Sequence, residues 1–351
     1  MSYRYIGNKS RLIGRLIPII TEIVEPGSTI ADLMCGTATV SEALRVAGYR
    51  VIASDIMTFA AQHARVRLTM DQPPEFRGLG GRSYVDVLKE LQGLESVHGY
   101  IVREHSPAGK PAGGQPPRGY FTVANAGKID AISARINEWN QQGLLTENEV
   151  ALLRHDLVLA TNRVANIAGT YGHFRSKWSN GSLSSLTLEP TQFIYGYSTD
   201  HRVLQGPAEE LAPKLSGALC YLDPPYMKRQ YAANYHLVET IARGDEPPAM
   251  GISGLRPWRD QYSDFCSKLK IRGAFSQIIG GMDCPQFLIS YSEDGLLSRE
   301  DIEELLGQHG KVRCIEISHQ RFRSNNSPLG RTVTEYLFHV KRAAAQNAQR
   351  P

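Results

Sequence analysis

A short strand that turns directly into a helix constrains this chain more than any other feature. The run Thr-Ile-Ala-Asp-Leu at 29–33 passes without a break into Met34-Cys35-Gly36-Thr37-Ala38, a turn of small residues. A helical segment at 40–47 follows, closed by Gly48. Strand, tight turn and helix in that order form a βα unit, and such units build parallel sheets with helices on their faces. A second strand, 50–54, runs into Asp55. Upstream, Leu12, Ile13, Leu16, Ile17, Ile19, Ile20 and Ile23 recur at helical spacing within 9–24, and Pro26-Gly27 ends that helix before the first strand begins.

The pattern changes between about 59 and 217, where helices and loops appear without clear parallel strands. The strongest helices there are 128–141 and 147–167, the second with Thr146 as its cap, and a Pro/Gly-rich stretch at 106–119 reads as an exposed loop or mobile linker. This region reads as an insertion into the sheet. Strand and helix alternation resumes with 218–222, which leads into Asp223-Pro224-Pro225-Tyr226, and with 286–291. A polar helix at 299–308 follows Ser298, and two strand-like runs, 311–318 and 333–340, suggest a closing hairpin on an otherwise parallel sheet. The expected division is 1–58 and 201–341 for the sheet domain, 59–200 for the insertion, and 342–351 for a disordered tail.

Composition narrows the class. Of 351 residues, 42% are hydrophobic and 21% charged, the balance of an ordinary soluble protein. No apolar run approaches the ~18 residues that span a bilayer, and the polar start lacks the order of a secretory signal, so a cytoplasmic protein with no membrane contact is expected. Cys35, Cys220, Cys266, Cys284 and Cys314 lie far apart with no paired-ligand spacing, which argues against a disulfide framework and a metal site. A formal charge of +4 is compatible with a polyanionic partner and does not by itself require one.

The chemistry sits at strand ends. In open α/β sheets ligands bind beyond the carboxyl ends of the strands, where small residues let backbone N–H groups approach a nucleoside or amino-acid moiety. The 31–38 turn fits, and Asp55, about twenty residues on, is placed to accept from ribose hydroxyls. Alone, that pattern is equally an ordinary βα turn. Asp223-Pro224-Pro225-Tyr226 behind a buried strand makes the difference. An aromatic amine is a poor nucleophile, because its lone pair is delocalised into the ring, and it must be drawn toward tetrahedral geometry. Asp223 can accept one amine hydrogen and the Pro224 carbonyl the other, while Pro224 and Pro225 stiffen the backbone that holds them. Tyr226 offers a ring face for an extruded base, since an amine inside a duplex is out of reach. A third element, Tyr3-Arg4-Tyr5-Ile6-Gly7-Asn8-Lys9, leads into the first helix. It reads either as a flap over the cofactor, with Lys9 free to meet a phosphate or base edge, or as a loose basic terminus.

Together these elements resemble the alpha class of DNA adenine-N6 methyltransferases, which contains the Dam-type enzymes and the modification halves of restriction systems. The order of N-terminal motif, cofactor turn, insertion and Asp-Pro-Pro-Tyr is the family's. The stretch 223–239, the start Tyr-Ile-Gly-Asn-Lys-Ser-Arg-Leu at 5–12 and the end Thr-Glu-Tyr-Leu-Phe at 334–338 look like the FokI-type branch. The resemblance implies a Rossmann-like class I methyltransferase sheet of seven strands, the last antiparallel, with a mainly helical inserted target-recognition domain. It implies S-adenosylmethionine as cofactor, held by Tyr5, Ile6, Gly7, Lys9, Asp32, Met34, Cys35, Gly36, Thr37, Asp55, Ile56 and Asp223. It implies catalysis at Asp223, Pro224, Pro225 and Tyr226, and contact with double-stranded DNA through Lys9, Arg175, Lys177, Trp178, Arg229 and Tyr231. A cognate restriction endonuclease or other defence protein would be its partner.

The family's cofactor turn usually reads Asp-x-Phe-x-Gly-x-Gly, whereas here Met34 replaces the aromatic residue and Ala38 the second glycine. The run 203–207, ending in Pro207, stands where relatives commonly place an acidic residue against the cofactor's adenine. Weaker cofactor binding is the expected consequence. The same chemistry could methylate cytosine or an RNA base, and loss of cofactor binding would leave a DNA-binding module.

Overall fold

The computed structural model describes residues 4–196, 200–320 and 332–342. The chain divides into two compact units. One comprises Lys9–Ile56, Ser198–Gln230 and Ser263–Pro351, and the other Met1–Asn8, Met57–Tyr197 and Tyr231–Tyr262. The helical unit thus takes in the first residues and a segment after the Asp-Pro-Pro-Tyr motif, in addition to the insertion.

The first unit is a seven-stranded sheet in the order β3-β2-β1-β4-β5-β7-β6. Its strands are β1 (Thr29–Asp32), β2 (Arg50–Asp55), β3 (Arg202–Gln205), β4 (Leu219–Leu222), β5 (Gln286–Ser292), β6 (Gly310–Gln320) and β7 (Thr332–Arg342). β1 to β5 are parallel, and β7 runs antiparallel between β5 and β6. Seven strands in one sheet, with the last one antiparallel, are what the resemblance implies. The closing hairpin is present, and Arg342, placed in the tail by the sequence reading, is the last residue of β7, while 343–351 lie outside the described residues.

Burial explains which strands are legible in sequence. All four residues of β4, Leu-Cys-Tyr-Leu, are buried, as a central parallel strand covered on both faces requires. β3, an edge strand, reads Arg-Val-Leu-Gln with no buried residue, so it lacks the apolar run that marks its neighbours and was not expected within 59–217. One core, including Ile271, Phe275 and Ile278 of the helix Ile271–Gly281, closes over Phe287 and Ile289 of β5 and Phe338 of β7. Each such fully buried side chain contributes about 1.5–3 kcal/mol. The helix expected over 9–24 begins at Ile13, after a turn in which the Leu12 N–H donates to the Lys9 carbonyl (2.8 Å).

The second unit is built on the helix Glu147–Val164, most of whose residues are buried, packed by Thr58–Thr69, Val123–Gln141 and His236–Arg243. Thr146 and Glu149 form a reciprocal capping box at its start. At its other end the Arg4 guanidinium donates to the carbonyls of Arg163 (3.4 Å), Ala165 (3.2 Å) and Ile167 (3.3 Å), and to that of Asn162. A cation at a helix C-terminus meets both its unsatisfied carbonyls and its dipole. Residues 4–8 are therefore anchored, which removes the loose-terminus reading for them; Tyr3 lies outside the described residues.

Candidate active site

β1 and β4 are adjacent and parallel, with Asp32 opposite Tyr221, so the turn after β1 and the Asp-Pro-Pro-Tyr segment after β4 leave the sheet at the same edge. Asp32 is the last residue of β1 and almost fully buried. Its Oδ2 accepts from Ser41 Oγ (2.6 Å), and its Oδ1 is buried with no hydrogen-bond partner. Burial lifts its pKa to about 7, with hydrogen bonds from Ser41 and from the Met34 backbone opposing and the nearby charges of Asp223 and Asp55 adding to the rise. Beyond it the backbone turns through left-handed conformations at Gly36 (φ 51°) and Ala38 (φ 58°). Asp55 at the end of β2 accepts the Gly36 N–H at Oδ2 (2.9 Å), and the Cys35 N–H donates to the Ser54 carbonyl (3.0 Å), which ties the turn to β2. Burial pushes the Cys35 thiol well above its usual range, so it stays protonated. Met34 and Ile56 are half-buried, and Thr37 is buried.

At the β4 end, Asp223 is partly buried, with 16% of its side chain exposed. Lys9 Nζ lies 3.0 Å from Asp223 Oδ1 and 2.7 Å from Glu335 Oε1, and its side chain is 5% exposed. The expectation of a lysine free to reach DNA is thus corrected: the ammonium is held inside the unit by two carboxylates, at 5.8 Å from the Tyr226 ring centroid. Burial alone would lower the Lys9 pKa; Asp223 and Glu335 outweigh it and hold the ammonium well above the usual range. Burial raises Asp223 to about 6, with Lys9 opposing and Glu335 adding. Tyr226 packs edge-on against Tyr291 (5.9 Å between centroids), and its carbonyl accepts the Leu296 N–H (2.9 Å), which fixes the strand-end segment. Pro224 is buried and Pro225 half-buried.

Glu335, in β7, belongs to a family-like stretch to which the sequence reading assigns no role. Its burial and its ion pair with Lys9 make it part of the site, together with Ser290 of β5, whose Oγ donates to the same Oε1. The signal available in sequence was a lone acidic residue inside a strand-like run, since a buried charge is rarely tolerated without a partner.

A model of the D12 class N6 adenine-specific DNA methyltransferase family matches residues 5–305. The chain belongs to the D12 class of N6 adenine-specific DNA methyltransferases. It is similar to the modification methylase StsI of Streptococcus sanguinis, at 30% identity over 97% of this chain and 52% of the relative. It is similar to the type II methyltransferase M.FokI of Planomicrobium okeanokoites, at 32% over 97% of this chain and 53% of the relative. The type II methyltransferase M.NlaIII of Neisseria lactamica is 30% identical over 95% of this chain and 97% of its own length. The chain thus spans about half the length of the first two of these relatives and nearly all of the third.

In this D12-class methyltransferase the departure at Ala38 has a measurable form. The residue that replaces the glycine keeps the glycine's left-handed backbone, which L-residues other than glycine rarely adopt. Pro207 begins a short turn after β3, where the Gly206 N–H donates to the Asp55 carbonyl (3.0 Å). The remaining expected residues fall in different places. Arg175, Lys177 and Trp178 are exposed in the helical unit, and Arg229 is exposed in the sheet unit. Tyr231 instead donates its hydroxyl to the Ile6 carbonyl (3.1 Å), while Tyr235 Oη accepts the Ile6 N–H (2.7 Å) and its ring stacks on Tyr5 at 4.7 Å. Gly7, at φ 77°, has a missing Cβ that would lie 3.4 Å from that Tyr231 oxygen.

Proposed function

We propose that this protein transfers a methyl group from S-adenosylmethionine to the exocyclic N6 amine of adenine in double-stranded DNA, at a specific sequence and with the target base extruded. It would serve as the modification component of a restriction–modification or related defence system. The observation that carries the reading is that buried Asp32, at the end of β1, and partly buried Asp223, directly after β4, leave neighbouring parallel strands at one sheet edge. Family membership supplies the reaction class.

The residues at β1 and β2 fit the cofactor. The unpartnered Oδ1 of Asp32 is a buried acceptor awaiting a donor, which suits the ammonium of an amino-acid moiety, and a cation there would favour the ionised carboxylate. Gly36, Thr37 and the neighbouring backbone would lie against the same ligand, and Asp55 would accept from its ribose. When bound, S-adenosylmethionine supplies an electrophilic methyl carbon. Asp223 acts on the other reactant. Its Oδ1 meets Lys9, so Oδ2 is the oxygen left for an N6 hydrogen, and the Pro224 carbonyl takes the second. Both acceptors draw lone-pair density onto the nitrogen and stabilise the positive charge it gains. Tyr226 stacks on the base. Arg175, Lys177, Trp178 and Arg229 would contact the duplex, chiefly its phosphates.

The test is to incubate the protein with plasmid DNA and labelled cofactor and digest the product to nucleosides. Label in N6-methyladenine is the expected result. Label in methylcytosine or only in RNA would overturn the substrate, and DNA binding with no label would overturn the activity.

A further inference from the structure

We propose that Glu335, steadied by Ser290, is a positioning residue that shares the Lys9 ammonium with Asp223 and thereby sets how firmly that ammonium holds the catalytic carboxylate. The inference rests on the reading of Asp223 as the amine's acceptor. One ammonium lies between two carboxylates, 2.7 Å from Glu335 and 3.0 Å from Asp223, and Lys9 and Glu335 are nearly excluded from solvent. Ser290, fully buried, donates to the same Glu335 oxygen that Lys9 meets. A lysine needed only to neutralise Asp223 would not require a second buried carboxylate, whose desolvation is costly. With it, the cation keeps Asp223 ionised against burial. An incoming N–H can then be accepted at Asp223 Oδ2 while Lys9 stays on Oδ1, and as Asp223 shares its charge with that hydrogen Glu335 still holds the ammonium.

Among the described residues, the other groups whose charge acts on Asp223 are Asp32, Tyr221 and Tyr226, and the substitutions leave them in place. The signs follow from charge. Lys9 lowers the Asp223 pKa and Glu335 raises it. Because Asp223 must be ionised to accept a hydrogen, single-turnover methyl transfer to plasmid adenine falls on the acid side as it protonates. In Lys9→Met that limb moves to higher pH, and in Glu335→Gln to lower pH, each by about one unit or more, the size of effect one close charge exerts. The double variant Lys9→Met with Glu335→Gln returns toward the parent limb.

A merely structural role lowers melting temperature and yield of active protein but leaves the limb in place. Limbs that stay fixed, or that move in the same direction in both single variants, overturn the proposal. If Lys9→Met does not fold, the downward shift in Glu335→Gln carries the test alone. If the parent protein transfers no methyl group to DNA, the functional reading fails by itself. The opposed shifts are then read directly by carbon-13 titration of the Asp223 carboxylate.

Discussion

The ends of β1 and β4 present the same problem with two different solutions. Each holds an aspartate whose pKa burial has lifted, Asp32 to about 7 and Asp223 to about 6. Asp32 has only the neutral donors Ser41 Oγ and the Met34 backbone, with one oxygen, Oδ1, left without a hydrogen-bond partner, whereas Asp223 has an ammonium shared with Glu335. A carboxylate left short of donors is a place for a cationic ligand group. A carboxylate supplied with a cation inside the protein is kept ionised to act as an acceptor. On the proposed reading, the difference in compensation, more than the burial, is what separates a binding aspartate from a reacting one.

The largest break in that comparison comes from Asp223→Ala. Losing one acceptor for developing positive charge should slow single-turnover transfer by about 10²–10³-fold, or ~3–4 kcal/mol at the barrier. Lys9 keeps Glu335 as its partner, so the fold should survive, and duplex affinity by mobility shift should change little. Near-normal turnover in this variant would remove Asp223 from the chemistry.

Asp32→Asn should act in the opposite sense on stability. A carboxyl whose pKa is raised from 3.8 to about 7 binds its proton more tightly folded than unfolded, so stability falls as pH rises between those values and is flat above. The rise corresponds to roughly 4 kcal/mol, of which a buried amide short of partners retains about half as its own desolvation cost, leaving a net gain of ~2 kcal/mol. The variant should therefore melt above the parent at neutral and alkaline pH, with the gap closing as pH falls toward the ordinary carboxylate range. Cofactor affinity by calorimetry should drop at the same time. A variant that gained stability and kept affinity would deny Asp32 its binding role.

The parts of this site readable from sequence were those written in consecutive residues. The turn at 34–38 and the Asp-Pro-Pro-Tyr tetrapeptide follow buried strands, and a buried strand declares itself as an apolar run. β3 did not, because an edge strand of four residues, none of them buried, carries no such run. Lys9 and Glu335 are separated by nearly the whole chain, and nothing in either neighbourhood announces that β7 returns beside β5 to bring them together. The local motif around Lys9 was recognisable, but its burial was not, since a lysine among polar residues ordinarily reaches solvent.

The exposed cations test whether DNA binding is separable from both strand ends. Arg175→Ala or Lys177→Ala should weaken duplex binding and lower the slope of log affinity against log salt by about 1 for each phosphate no longer neutralised. Transfer from a preformed, saturated complex should be unchanged. An unaltered salt slope would place these side chains off the DNA path.

The smallest expected effect sharpens the β1 side alone. Ala38 lies in the left-handed region at φ 58° and is fully buried, so its Cβ is carried in a conformation that costs an L-residue ~1 kcal/mol relative to glycine. Ala38→Gly relieves that strain but adds freedom to the unfolded chain, and the two partly cancel. The expected net is a gain of about 0.5 kcal/mol in denaturant unfolding, with tighter cofactor binding because the backbone loses an intruding methyl. The two readouts separate strain from access: a stability gain with unchanged affinity means that the Cβ never faced the ligand, whereas tighter binding without a stability gain means that it did and that the turn carries little strain.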